Sequence, residues 1–353
     1  MAHGQRLLTG GGMLLGLALS ACTVSAPTAG STPQPQTGSA ASASPVVSTA
    51  TPTATRTPTQ TSPSPTRPSP ATPSSATPSP TRTPEPRFDA HDVLADIDAL
   101  AEDIGPREAT SKNFDQAADL IEKRFEKLGY EVDTESVTVP AGNSWGTPVR
   151  AGTSRNVIAD PRGFDDEEPH VVVVAHLDTV PVAPGAEDNA SGISVLLELA
   201  RMAAAAPPEI PVRFIAFGAE EPRGSGDALH HFGSQQHVDD LSEAERDAIQ
   251  AVVALDRVGV RASYVPVCSA RASGNDLRRD VRDAADEIDV PTRGCGGNTT
   301  SDHWSYAKAG IPAIRLGSIP YAGYHSPDDT PDVVDRRQLD RVGNVMWAWL
   351  QSL

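Results

Sequence analysis

The sequence predicts an α/β chain: a three-layer α/β/α sandwich with a central mixed, mostly parallel sheet, preceded by a disordered linker. Three observations carry that expectation. Residues 170–175, 212–217 and 251–255 are short runs dominated by apolar side chains with little alternation, as expected of strands covered on both faces. Stretches with helical spacing of apolar residues fall between and around them, which places helices on both sides of the sheet. Each run also stops at acidic or imidazole side chains, and in open α/β sheets ligands gather at the carboxyl ends of strands.

The chain opens with a basic stretch, residues 1–6, then a Gly-interrupted apolar stretch, 7–18, then Leu19-Ser20-Ala21-Cys22. Residues 1–22 look like a bacterial lipoprotein signal in which Cys22 takes the lipid, because the apolar run is too short to span a bilayer. The expectation is export and lipid anchoring to the outer face of the bacterial cell membrane, with the N-terminal lipid as the only membrane attachment. Residues 23–87 are rich in Pro, Thr, Ser and Ala and have almost nothing apolar to bury, so they read as a disordered tether with polyproline II character. The remainder, residues 88–353, suits one large α/β domain.

Helical periodicity runs over 88–104 and 113–128, with Gly129 as a C-cap. Residues 130–139 alternate like an edge strand, and 154–159 add a short one. The run 170–175 comes next, followed by GAEDNASGISVLLELARMA, in which a Gly/Asn/Ser turn feeds a helix. After 212–217 and 251–255, residues 277–288 and 336–353 read as further helices and 311–316 as a return to the sheet.

The formal net charge is −17, and residues 1–87 carry five arginines against one acid, a net of +4 that leaves −21 on the domain. So acidic a surface argues against nucleic acid as a partner. Of the three cysteines, Cys268 and Cys295 either form a disulfide or remain two thiols.

Five segments hold metal-seeking side chains: AHLDTV, GAEDNASG, FGAEEP, LDRVG and GYHSPDDT. They supply His176, Asp178, Asp188, Glu220, Glu221, Asp256 and His325. Singly, each is equally at home as a cap or a surface group. Together they meet the needs of two divalent ions about 3.5–4 Å apart: a bridging carboxylate, one further carboxylate and one imidazole per ion, and a base for an attacking water.

These segments, in this order, resemble the M28 family of zinc peptidases, co-catalytic aminopeptidases that share a fold with glutaminyl cyclases and some carboxypeptidases. The likeness extends from about Phe88 to the C-terminus. It implies two Zn2+ per subunit, with His176 and Asp256 on one ion, Glu221 and His325 on the other, and Asp188 as the bridge. It makes Glu220 the general base and Asp178 the carboxylate that receives the other N–H of His176. A cis Asp188–Asn189 bond is implied as well. Tyr324, just before His325, is either a hydroxyl donor to the oxyanion or a packed ring.

Several positions stand apart from the family pattern. Arg257 replaces the methionine of many relatives; it neutralises surplus carboxylate, turns outward to a surface acid, or binds a substrate carboxylate. Asp302 and His303, in SDHW, are candidates for the substrate cleft or its support, with loop capping as the alternative for Asp302. Nothing in the spacing of His230 and His231 demands a metal. The short intervals between Asp178 and Asp188 and after Glu221 predict a cleft open above the metals, in a monomeric exopeptidase. The implied activity is removal of N-terminal residues from peptides; a single-zinc glutaminyl cyclase, a carboxypeptidase and a non-catalytic zinc-binding lipoprotein are the alternatives.

Overall fold

A computed structural model describes residues 86–353. The signal, Cys22 and the tether as far as residue 85 lie outside the described residues. The chain enters through α1 (Ala90–Asp98), continued by a π-helical stretch to Ile104, and α2 (Lys112–Leu128). Helix α2 begins where the Ser111 hydroxyl accepts from the Phe114 N–H and ends at Gly129, whose φ of 93° suits a left-handed cap. Strands β1 (Glu131–Val139), β2 (Gly142–Ser144), β3 (Thr147–Val149), β4 (Gly152–Asp160) and β5 (His170–His176) follow, and then α3 (Ser191–Ala205) and β6 (Val212–Phe217). Next come α4 (Phe232–Asp240), α5 (Glu243–Ala248), β7 (Ile249–Asp256), β8 (Val265–Ser269), α6 (Asn275–Glu287) and β9 (Thr292–Gly296). The chain closes with α7 (His303–Lys308), β10 (Ala313–Gly317) and α8 (Arg336–Gln351).

Eight strands form one sheet in the order β1-β4-β6-β5-β7-β10-β8-β9. Its middle, β6-β5-β7-β10, is parallel, while β1, β4 and β8 pair antiparallel with their inner neighbours. Strand β5 shows why the Val-rich runs lie at the centre. Val171, Val173 and Ala175 pack into a core shared with α1, α2, α3, α6 and α8, and Val172 and Val174 pack into a second core with α4 and α7. Alternate side chains meet opposite layers, so a strand in this position has no face left for polar residues. Burying each Val side chain stabilises the fold by about 1.5–3 kcal/mol.

The three-layer mixed sheet is the one expected. The structure adds the hairpin β2–β3, helices α4, α5 and α7, and strands β8 and β9, which widen the sheet beyond β10. Cys268 and Cys295 are register partners on β8 and β9 and are joined as a disulfide, with Cα atoms 4.5 Å apart. No helix among the described residues is long and apolar enough to cross a membrane.

Candidate metal centre

The parallel strands deliver the site. Strand β5 ends in His176 and β7 in Asp256, while β6 runs into Gly218 and Ala219, a turn that presents Glu220 and Glu221. Gly218 is required there, since a Cβ would stand 2.5 Å from the Arg155 carbonyl oxygen. Asp188 lies in the turn Ala186–Ala190 before α3, and its bond to Asn189 is cis. Two tethers fix this turn. The carboxylate of Asp329 accepts the N–H groups of Glu187 and Asp188 at 2.9 and 3.1 Å, and the Asn189 amide donates to the Leu255 carbonyl at 2.8 Å.

The two oxygens of Asp188 face different partners. Oδ1 is 3.2 Å from His176 Nε2, which is itself 3.8 Å from Asp256 Oδ1. Oδ2 is 3.0 Å from His325 Nε2, which is 3.4 Å from Glu221 Oε1. His176, Asp188 and Asp256 thus form one group, and Asp188, Glu221 and His325 another; in each, the candidate ligand atoms lie within 4.8 Å of one another. This mixed nitrogen and carboxylate set fits zinc. Glu221 Oε1, buried with no hydrogen-bond partner, is suited to ligate a cation.

The charge balance leans the same way. Burial alone would lower both imidazoles, yet the surrounding carboxylates raise His176 well above its usual range and His325 to about 10. Burial pushes Glu220 and Glu221 up to about 8, helped by neighbouring acids. Burial would also raise Asp188 and Asp256, but His176 and His325 hold Asp188 well below the carboxylate range, and Arg315 and His176 do so for Asp256. Carboxylates outnumber fixed cations here, so the site favours positive charge.

Glu220 belongs to neither group. Its Oε1 is 3.2 Å from His231 Nε2. Asp178 is buried behind His176, but its bonding differs from the expectation that its carboxylate takes the imidazole N–H. His176 Nδ1 donates to the backbone carbonyl of Asp178 at 3.2 Å, and the nearer carboxylate oxygen is 3.7 Å away. That carboxylate instead accepts the N–H groups of Glu220 and Glu221 at 3.0 and 3.1 Å, fixing the glutamate pair. Sequence proximity suggested a contact with His176; the adjacent strand supplies better donors.

Tyr324 stacks on His325 with ring centroids 3.6 Å apart, the rings of Trp145 and Tyr321 meet it edge-on, and the Arg257 Cζ lies 4.4 Å from its ring centre. The ring is half exposed and lines the cavity. Asp302 and His303 are buried and do not line the cavity over the glutamates, so of the places foreseen for them the support of the cleft remains. His303 Nε2 donates to the Asn298 carbonyl at 2.9 Å, and burial with the Glu220 charge raises the Asp302 carboxyl to about 7. The cavity has a volume of about 380 Å³. Trp145 at the tip of β2–β3 lies beside His325, ring centroids 4.4 Å apart, and the loop after Glu221 lines the cavity with His230 and His231.

Sequence reasoning missed His231, Trp145, Arg315 and Asp329. Asp329 had a visible signal in the SPDDT segment after His325. Arg315 had none, because one arginine inside an apolar strand run does not announce which end of the sheet it serves.

Residues 156–350 match the model of peptidase family M28. Aminopeptidase YwaD of Bacillus subtilis is 34% identical over 206 residues, 56% of this chain and 44% of the relative, so the chain matches under half of that protein's length. Among solved structures, a zinc aminopeptidase from Bacillus subtilis superposes with a TM-score of 0.67 at 23% identity, covering 76% of this chain and 96% of that one. A glutaminyl cyclase from Bacteroides thetaiotaomicron gives 0.63 at 22%, covering 76% and 100%. The fold is therefore that of the zinc aminopeptidases and cyclases alike, and with more than half of its length matched by the family model the chain belongs to peptidase family M28.

Proposed function

We propose that this chain is a zinc-dependent exopeptidase, an aminopeptidase that removes N-terminal residues from peptides. Two zinc ions would be held by His176, Asp256 and Asp188 on one side and by Glu221, His325 and Asp188 on the other. Bound there, zinc supplies Lewis-acid polarisation of a carbonyl and acidifies a water. The observation that carries the reading is the division of Asp188 between two imidazole–carboxylate sets, with Glu220 left outside both.

Glu220 is then the general base. Its side chain is buried beside both groups, its backbone is fixed by Asp178, and burial holds its proton affinity near the neutral range that suits proton transfer. It takes the proton of the attacking water and returns it to the leaving amine. His231 orients its carboxylate from behind, and Tyr324, which lines the cavity and stacks on His325, offers its hydroxyl as a donor for the developing oxyanion. Cys22 carries a lipid that tethers the monomeric enzyme outside the cytoplasmic membrane, where peptides reach it.

Glu220→Gln tests the assignment. Activity on aminoacyl substrates falls by about 10²–10⁴-fold while bound zinc stays unchanged; retained activity contradicts the role. A second reading, a glutaminyl cyclase working with one zinc, is favoured by the structural likeness to the Bacteroides enzyme. Release of free N-terminal residues with two zinc ions per chain excludes it.

A further inference from the structure

We propose that the wall of the cleft beside Asp256 is a carboxylate-binding subsite built on Arg257, so that the preferred substrates carry a carboxylate close to the scissile bond. The proposal rests on the exopeptidase reading and names the substrate class for that site.

Arg257 directly follows the last residue of β7 and is held rigidly. Its φ of 55° is in the left-handed region, its N–H donates to Asn189 Oδ1 at 3.2 Å, and its carbonyl accepts the Ser318 N–H at 3.0 Å. Gly317 permits that approach: a Cβ there would lie 2.2 Å from the Asp256 carbonyl oxygen. The guanidinium is fixed as well, with Nη2 donating to Ser318 Oγ at 2.9 Å and the plane lying over the Tyr324 ring. A strained backbone and a clamped side chain are unusual for a residue that merely fills space.

Arg257 contributes charge to the carboxylates beside it, but that role leaves part of its guanidinium unused. Asp256 is already neutralised by Arg315, whose Nη2 is 2.9 Å from Oδ1, whereas Arg257 reaches that oxygen only with Nε, at 3.7 Å. Among the described residues no surface acid comes within 4.0 Å of the Arg257 guanidinium. Apart from Nε beside Asp256, its contacts are a neutral hydroxyl and an aromatic face, which leaves Nη1 without a partner among the described residues, in the cavity that also contains Thr299 and Thr300. A planar, pre-oriented fork of this kind matches a carboxylate and suits few other groups as well. The carboxylate comes from one of two sources, the C-terminus of a short peptide or an acidic side chain.

Steady-state rates on Leu-Ala and Leu-Ala-amide, and on Leu-Glu-amide and Leu-Gln-amide, separate the sources. The wild type prefers the acid over the neutral member of one pair, and Arg257→Gln reduces that preference, read as a ratio of kcat/KM values, by about 10- to 100-fold. Arg257→Lys restores part of it. A fall in the first pair assigns the peptide C-terminus, and in the second an acidic side chain. Equal rates within both pairs, or a preference unchanged by Arg257→Gln, overturns the proposal. Calorimetric binding of the same peptides to zinc-loaded Glu220→Ala protein, with and without Arg257→Gln, reads the same preference independently of turnover. If the wild type hydrolyses none of the peptides, the exopeptidase reading fails, while the binding ratios still decide for or against the subsite.

Discussion

The two halves of the candidate metal centre are built by different means. His176 and Asp256 are the last residues of neighbouring central strands; His176 has its Nδ1 bonded to the Asp178 carbonyl, and Asp256 has Arg315 at 2.9 Å. Glu221 and His325 belong to connections. His325 has a φ of 53°, its Nδ1 is buried without a partner, and its ring is held by Tyr324 and Trp145. A fixed arginine keeps Asp256 ionised against its burial, whereas Glu221, with no such arginine, is pushed up to about 8. Strand ends preorganise a ligand together with its counter-charge, and a loop can leave the counter-charge to the ion itself.

Removing what the halves share has the largest effect. Asp188→Ala should reduce hydrolysis to background and lower bound zinc at both positions, as measured by elemental analysis; loss of one ion alone would show that the halves are independent. Arg315→Met comes next, because it strips a buried carboxylate of its partner. It should cost about 3–5 kcal/mol in denaturant unfolding and weaken the strand-end half selectively; a cost below about 1 kcal/mol would mean that Asp256 does not depend on the arginine.

The metal-free site has a pH signature. Glu220 and Glu221 have folded-state values near 8, above their usual 4.5, so the stability linked to them is complete below pH 4.5 and is lost as pH rises through about 8. His176 and His325, also raised, have the same sign. Buried His303, lowered to about 3, acts oppositely, but its contribution is complete once pH passes about 6.5, the unfolded value. Metal-free protein should therefore lose thermal stability as pH rises from about 6.5 to 9, the glutamates contributing up to about pH 8 and the imidazoles beyond it, by about 2–4 °C per kcal/mol, and saturating zinc should remove the slope. A flat metal-free profile would contradict the raised values of the glutamate pair and of both imidazoles. The smallest effect is expected at Trp145, which is 58% exposed: Trp145→Ala should change stability by less than about 0.5 kcal/mol and raise KM a few-fold.

The strand-end half was the more legible in the sequence, for the same physical reason. A run such as residues 170–175 is apolar on both faces because both are covered, so its end, and the residues placed there, can be read locally. Glu220 and Glu221 follow from the same logic. His325 came from the order of the motifs, since nothing local brings a loop some seventy residues past Asp256 back to the site. The roles of Arg315, His231 and Trp145 depend on which elements lie side by side, and short or exposed pieces such as β2, β3 and β9 bury too little to show a period. Asp178 shows the limit most plainly: it was placed correctly behind His176, and its carboxylate serves the neighbouring strand's turn instead.

The central claim is a centre of two ions sharing Asp188, and titrating zinc into metal-free protein while following peptide hydrolysis tests it most directly. Activity should keep rising until two equivalents are bound, with the first entering the half of His176 and Asp256, and His325→Ala should stop the titration at one equivalent with little turnover. Full activity at a single equivalent, unaffected by His325→Ala, would contradict the account.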